Sequence, residues 1–284
     1  MTYWVVQIVN GLSFGMVLFM ISSGLSLIFG LMRIINLAHG CFYVWGVYVS
    51  LVILRATNNF LLSIMLGSLA IGILGVMLQR FFLYRFQHSE SSQVLLTLGF
   101  TFALSDLALW IWGGQHRAIP KPPIIGWSLA VGSMSFPFYR LIVIVVGVLV
   151  AIGLWVFQER TKVGALVRAG VDDSEMARGL GINVPLLFTG IFGLGAFLSA
   201  FGGIAGGLLT GIYPGAEWEI LLLAMAVLIL GGLGSLKGAL VGSLFVALVD
   251  NFGRILFPEF ALFTVFVPVA IILAFRPTGF FGKS

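Results

Sequence analysis

The run "LLLAMAVLIL", residues 221–230, contains no polar residue and no alternation of apolar with polar positions. A membrane β-barrel strand alternates over about ten residues, whereas a helix surrounded by lipid or protein is apolar on all sides. Lipid also requires each spanning segment to satisfy its backbone hydrogen bonds internally, as helices and closed barrels do. The run therefore predicts a helix, and similar runs recur along the chain.

The whole chain has the composition of an integral membrane protein. Of its 284 residues, 60% are hydrophobic and 9% are charged, and the mean hydropathy is +1.13. Soluble domains carry about 25% charged residues, and a soluble protein with so apolar a surface would aggregate. We predict an all-α polytopic helical bundle, with some segments short or broken by glycine. It occupies residues 1–284 as a single transmembrane domain.

Nine apolar segments are predicted to meet the membrane, where a full span takes about 20 residues; the pattern allows eight to ten. They are 5–29, 37–54, 60–79, 93–112, 138–157, 186–213, 217–230, 239–253 and 259–275. The short pieces 217–230 and 239–253 form either two short helices or a re-entrant pair. The first 20 residues lack a positively charged start, so we interpret them as a membrane helix and not as a cleaved signal peptide.

Lysine and arginine are distributed unequally between the predicted loops. With nine spans and an external N-terminus, ten cations lie inside and five outside, as the positive-inside rule favours. The inner ten are Arg33, Arg80, Arg85, Arg160, Lys162, Arg168, Arg178, Lys237, Arg276 and Lys283, and the outer five are Arg55, Arg117, Lys121, Arg140 and Arg254. This orientation places the loop 158–185 in the cytoplasm and the long loop 113–137 outside. The net charge of +5 fits this rule and gives no reason to expect nucleic acid.

Several kinds of chemistry are not expected. The single cysteine, Cys41, permits no internal disulfide and suggests no cysteine-based metal cluster. The segments "PTGFFGKS" (277–284) and "GGLGSLKG" (231–238) resemble a phosphate loop. The first lacks the opening glycine and a following helix, and the second lacks the second glycine. We therefore predict no cofactor, no metal and no catalytic residue, and any nucleotide-binding domain would have to lie on another chain.

Glycine spacing and intramembrane polar residues indicate candidate positions for packing and transport. Many of the 37 glycines lie four apart, as Gly11 and Gly15 do. This spacing lets helix backbones approach closely, either within the chain or against a sister subunit. Ionisable groups within a membrane are functional candidates by default. The translocation-path candidates are Asn36, His39, Asp106, Gly231, Gly232 and Gly234. For Asp106, a structural helix contact is the alternative.

The predicted cytoplasmic loop concentrates charge. Eight of the 25 charged residues lie in the segment 159–178. Residues 172–180 can form a short helix that is capped at its start by an Asp or a Ser and ended by Gly181. Met176 and Leu180 lie four apart and form an apolar stripe on this helix. The loop is either a solvated connector or a docking element for a soluble partner.

Three ordered stretches, which together span most of the chain from about residue 10 to 280, carry a family resemblance. They are "GLSLIFGLMRIINLAHGCFYVWGVY" (24–48), "RTKVGALVRAGVDDSEMARGLGINV" (160–184) and "AVLILGGLGSLKGALVG" (226–242). Within the second, Glu175, Ala177 and Gly181 fit the E-x-A-x-x-x-G core of a coupling motif. Together they resemble the branched-chain amino acid ABC transporter permease family, in particular its H-type subunit. Gly170, Val171 and Gly179 depart from that family's pattern.

The resemblance implies a permease subunit of an ABC importer in the bacterial inner membrane, embedded in lipid. Its partners would be a sister permease as a heterodimer, two cytoplasmic ATPase subunits and a periplasmic substrate-binding protein that rests on the outer loops. The residues implied to couple to the ATPase are Arg168, Asp173, Glu175, Met176, Ala177, Arg178, Leu180 and Gly181. Of these, Arg168, Asp173 and Arg178 are expected to set the register of docking.

Two other functions compete with the importer. An ion-gradient-driven secondary transporter would suit Asp106 and the broken helices but has no need for a coupling helix. Nothing in the sequence favours a membrane enzyme or a channel. The family includes permeases for branched-chain and other amino acids, small amides and urea, so the resemblance does not identify the substrate.

Overall fold

The apolar runs form helices in this computed structural model, which describes residues 2–86, 89–131 and 134–282. The helices are α1 Thr2–Met32, α2 His39–Thr57, α3 Phe60–Phe81, α4 Glu90–Trp112, α5 Pro123–Gly126, α6 Tyr139–Arg160, α7 Lys162–Asp172, α8 Ser174–Gly179, α9 Val184–Thr210, α10 Ala216–Gly231, α11 Leu236–Leu256 and α12 Ala261–Phe275. Among the described residues, seven helices are long and apolar enough to cross a membrane, namely α1, α2, α3, α4, α6, α9 and α11. Helices α10 and α12 are shorter, with 16 and 15 residues. The predicted all-α polytopic class is confirmed.

The long loop between α4 and α6 has structure of its own. It contains the four-residue helix α5 and a hairpin of the strands β1 (Ser128–Val131) and β2 (Met134–Pro137), paired antiparallel with Ser128 opposite Pro137. Within the described part of the chain this hairpin is the only sheet. The loop also returns to the bundle, because Arg117 and Ile212 exchange two backbone hydrogen bonds of 2.7 Å.

Helix α1 lies at the centre of the bundle. In the most apolar 18-residue stretch of α1, 83% is buried inside the protein, whereas only 17% is buried in the corresponding stretches of α4 and of α6. Helices α6, α9, α10 and α11 all pack against α1, and α9 also packs against α2 and α3. The backbones of α1 and α9 approach closely, because a Cβ added at Gly24 would lie 2.6 Å from the carbonyl oxygen of Gly195. Gly11 and Gly15 likewise face α11. These glycines therefore pack within the chain.

Helices α10 and α11 form a tight antiparallel hairpin. Gly231 and Gly238 stand in backbone contact across it, so neither position has room for a Cβ. The turn between them places Gly232 at φ 100° and Gly234 at φ 80°, in the region that favours glycine. The C-terminal segment closes over this turn, since the Phe280 N–H donates to Leu230 O at 2.8 Å. The predicted pieces 217–230 and 239–253 are the helices α10 and α11, and the expectation that both are short was wrong for α11, whose 21 residues are enough to cross a membrane.

Residues predicted to be inner and residues predicted to be outer lie at opposite ends of the bundle. At one end, Arg33, Arg168 and Lys237 line one cavity with Glu159. The opposite end contains the Arg117–Ile212 pairing. We call these ends inner and outer after the predicted orientation, which stays a prediction. Lys283, counted among the inner cations, lies outside the described residues.

Candidate functional site

The inner loop 158–185 folds into two helices, α7 and α8. Thr161 caps α7, because its Oγ1 accepts a hydrogen bond from Gly164 N–H at 3.0 Å. The prediction of one helix over 172–180 was wrong at its start, since Asp172 ends α7 and α8 begins at Ser174. It missed α7, although apolar residues three and four apart in "VGALVRAGV" (163–171) are typical of an amphipathic helix.

Helix α8 is held by a cap at each end. The Asp173 carboxylate accepts hydrogen bonds from the N–H groups of Glu175 at 3.0 Å and Met176 at 2.9 Å. At the other end Gly181 takes φ 83°, and the Ile182 N–H returns to Ala177 O at 3.1 Å. The predicted capping by an Asp and the predicted end at Gly181 are confirmed. These caps matter, because a helix of six residues is not stable by its own backbone bonds.

Helix α8 exposes its two large apolar side chains. Met176 is 64% exposed and Leu180, which follows its last residue, is 75% exposed. Glu175 and Arg178 are also exposed, whereas Ala177 is 2% exposed and faces the protein. The surface available to a partner is therefore a pair of apolar side chains beside charges, and Ala177 contributes packing beneath them.

The charged candidates of the loop have different surroundings. Asp173 is engaged by the α8 backbone, so capping is the role that its contacts define. Arg168 is directed toward the end of α6, where its guanidinium lies 3.8 Å from the Glu159 carboxylate. Both members of that pair are partly exposed, so it adds little stability. The expectation that these two residues and Arg178 set the docking register stays a prediction.

Asn36 lies in the connection between α1 and α2, and His39 is the first residue of α2; both are buried. His39 Nε2 donates to Ile21 O at 2.9 Å, and the Ser199 hydroxyl donates to His39 O at 3.0 Å. Asn36 Oδ1 accepts from the Ala38 N–H at 3.1 Å. These bonds hold the start of α2 against α1 and α9. Asn36 Nδ2 and His39 Nδ1 are buried and have no hydrogen-bond partner among the described residues. A role of either residue in the translocation path stays a prediction.

The remaining path candidates lie elsewhere. Gly231, Gly232 and Gly234 belong to the turn between α10 and α11, where close backbone packing explains them. Asp106 is exposed on α4 and has no hydrogen bond or ion pair with the described residues. The six candidates therefore occupy three separate places and do not converge on one site.

A buried carboxylate that the sequence reasoning missed lies between α4 and α10. Glu217, in the first turn of α10, is 2% exposed. It accepts hydrogen bonds from the Ser105 hydroxyl and, at 2.8 Å, from the Gly215 N–H. The Cys41 thiol lies 3.9 Å from the Ser105 hydroxyl. A polar residue at every fourth position of α4 was the available signal. The four are Gln93, Thr97, Thr101 and Ser105.

At the outer end, polar groups hold the segment between α9 and α10. The Tyr213 hydroxyl donates to Glu219 Oε1 at 2.7 Å. This hydrogen bond is the main reason that the pKa of Tyr213 is raised to about 12. Nearby, His116 Nε2 bonds to Thr210 O at 2.8 Å, which ties the long outer loop to the end of α9. The outer end is therefore an ordered polar surface.

The comparisons with known proteins concern the family of the whole chain. A family profile described as "Branched-chain amino acid transport system / permease component" matches residues 7–275. The chain is 26% identical over 298 residues to the high-affinity branched-chain amino acid transport system permease protein BraD of Pseudomonas aeruginosa, covering 99% of this chain and 96% of the relative. It is 26% identical over 300 residues to the LivH permease protein of Escherichia coli K12, with the same coverage. A probable LivH permease of Methanocaldococcus jannaschii is 25% identical and covers 82% of this chain and 76% of the relative. No solved structure gives a significant match.

Proposed function

The chain belongs to the family of branched-chain amino acid transport system permease components, and we propose that it forms, with a sister permease, the translocation path of a bacterial importer for branched-chain or related amino acids. It is a permease subunit of an ABC importer and not an ion-gradient-driven secondary transporter. Such systems include ATPase and binding-protein partners. We also propose that two separate cytoplasmic subunits hydrolyse ATP and that this chain catalyses no reaction.

The observation that carries the proposal is the exposed apolar pair on α8. Met176 and Leu180 project from a capped helix on the inner loop, outside the spanning helices. Large apolar side chains exposed to water beside charged ones are typical of a protein-binding surface. We assign this surface to the ATPase, with Glu175 and Arg178 as its charged border. Because α7 packs against α1, movement of the loop can reach the central helix.

The sister permease is proposed to pack on α4. Asp106 lies in the last third of this helix, exposed on the subunit surface and without a partner among the described residues. A carboxylate that faces lipid costs about 2.5–3.5 kcal/mol near the bilayer centre. A second subunit that covers Asp106 and offers it a donor removes this cost. Cysteine cross-linking through Phe102→Cys on α4, with Trp155→Cys on α6 as the control, tests this placement.

The binding protein is proposed to rest on the outer end, which contains the hairpin β1–β2 and the partly exposed segment 213–219. The order of this surface supports the assignment, because a rigid surface loses less entropy on binding. The bacterial inner membrane is the proposed location. Branched-chain amino acids are proposed as substrates because the relatives' names give them.

The test is reconstitution of the importer with a matched pair of variants. Leu180→Ala removes an apolar side chain from α8, and Leu186→Ala removes the same side chain, 65% exposed, from the start of α9. Burial of a leucine is worth about 1.5–3 kcal/mol, so Leu180→Ala should weaken ATPase binding by about tenfold or more. Leu186→Ala should change it by less than about twofold.

Binding of the purified permease to its co-expressed ATPase is measured by titration, and leucine uptake is measured in vesicles. Equal losses for the two variants would refute docking through α8. Uptake that needs only an ion gradient and no ATPase would refute the importer itself.

A further inference from the structure

The inner end of the bundle contains a cavity of about 780 Å³. Its walls are the last turns of α1, the end of α6, one face of α7, the start of α11 and the C-terminal segment at Phe281. Small-molecule sites usually enclose about 300–1,000 Å³. The cavity therefore has the size of a ligand site, and it joins the coupling loop to the central helix.

Positive charge predominates around this cavity. Arg33, Arg168 and Lys237 line it, and Glu159 is the only carboxylate among the described lining residues. The Glu159 carboxylate forms an ion pair with the Arg168 guanidinium at 3.8 Å, whereas Arg33 and Lys237 have no ion pair within the described part of the chain. The excess of cations favours an anionic occupant.

Two polar features of the wall lack partners of their own. The first N–H groups of α11, at Leu236 and Lys237, have no acceptor within the helix, and its N-terminus favours negative charge. The Ser26 side chain of α1 lines the same cavity, is 1% exposed and makes no hydrogen bond in the described structure. A buried hydroxyl without a partner is destabilising, so a ligand that accepts its proton would stabilise the site.

We propose that the cavity binds the phosphate group of an anionic phospholipid from the inner leaflet. Basic pockets between transmembrane helices at the cytoplasmic face suit such head groups. The phosphate would lie among Arg33, Lys237 and the start of α11. Apolar side chains at Leu233 and Phe281, both exposed, offer contacts to the acyl chains. This inference goes beyond the proposed function, because it concerns a lipid and not the transported solute.

The lipid would contact three elements at this end, α1, α7 and α11. Its phosphate bridges α1 and α11, and its position beside Val167 and Arg168 places it against α7. An occupied cavity would hold the coupling loop against the transmembrane helices. Coupling between ATP hydrolysis and uptake is therefore expected to depend on anionic lipid.

The direct test is native mass spectrometry of the purified, delipidated permease with any partner subunits that stay bound. It is titrated with dioleoyl phosphatidylglycerol or with dioleoyl phosphatidylcholine. A cation near an anionic lipid is worth about fivefold in affinity, so Arg33→Gln with Lys237→Gln should weaken phosphatidylglycerol binding by about tenfold or more. The control, Arg80→Gln with Arg276→Gln, removes two exposed inner cations that do not line the cavity. It should change binding by less than about twofold.

A third variant, Ser26→Ala, leaves the charges unchanged and removes the buried hydroxyl. It should weaken phosphatidylglycerol binding severalfold while size-exclusion chromatography shows a folded protein. Equal affinity of wild type and the double variant, or equal affinity for both lipids, would overturn the proposal. Displacement of the lipid by millimolar glycerol 3-phosphate would also overturn it, in favour of a soluble anion. Because this assay needs no transport, its result is independent of the importer function.

Discussion

Removal of the α8 cap gives the sharpest test of the coupling loop. Asp173→Ala deletes the carboxylate that accepts two backbone hydrogen bonds, at 3.0 and 2.9 Å. Loss of such a cap costs about 1 kcal/mol, within a range of roughly 0.5–2 kcal/mol. Helix α8 has only six residues, too few to be stable by its own backbone hydrogen bonds, so a large share of the variant molecules should lose this helix. If the ATPase binds only the helical form, its affinity should fall by about fivefold.

Three substitutions at this position separate capping from charge. Asp173→Asn keeps an acceptor oxygen and removes the charge, Asp173→Glu keeps the charge and loses the cap geometry, and Asp173→Ala loses both. Capping predicts that the Asn variant binds the ATPase as the wild type does and that the other two bind more weakly. Hydrogen exchange of the amides of residues 174–179, measured by mass spectrometry, should be as slow in Asp173→Asn as in the wild type. It should be faster in Asp173→Glu and in Asp173→Ala.

The opposite order would refute this reasoning. If Asp173→Asn binds as weakly as Asp173→Ala while its amides stay protected, the carboxylate acts through its charge and sets the docking register. If Asp173→Ala binds normally despite faster exchange, the ATPase does not require α8 in its helical form.

Glu217→Ala should lower the melting temperature of the purified permease by more than Glu217→Gln. The alanine leaves the Ser105 hydroxyl without its acceptor in a buried site, which costs about 1–3 kcal/mol; equal melting temperatures would contradict a structural role for this contact. Gly24→Ala should reduce the yield of folded protein, because its methyl would lie 2.6 Å from Gly195 O, whereas Gly153→Ala, which meets nothing within 4 Å, should not. Fluorescence-detected size-exclusion chromatography measures both yields, and a normal yield for Gly24→Ala would contradict the close packing of α1 on α9.

The sequence was sufficient where one local property dominates. Long apolar runs predicted the positions of the apolar helices, seven of which are long enough to cross a membrane, because each helix satisfies its own backbone in lipid. The charge bias between loops predicted an orientation that stays a prediction. The Asp173 cap and the end at Gly181 were predictable because a helix terminus depends on a few neighbouring residues. Helix α7 was not predicted, although its apolar residues are spaced three and four apart as in an amphipathic helix.

The tertiary structure decided what depends on neighbours distant in the sequence. Asp106 and Glu217 are both acids in apolar helices, and nothing local tells which one is buried. The structure exposes Asp106 on α4 and encloses Glu217 between α4 and α10. It also assembles the inner cavity from residues as far apart as Ser26 and Phe281. Hydropathy and capping act over a few residues, so a sequence can specify helices and their ends, whereas burial and cavities arise only when whole helices pack.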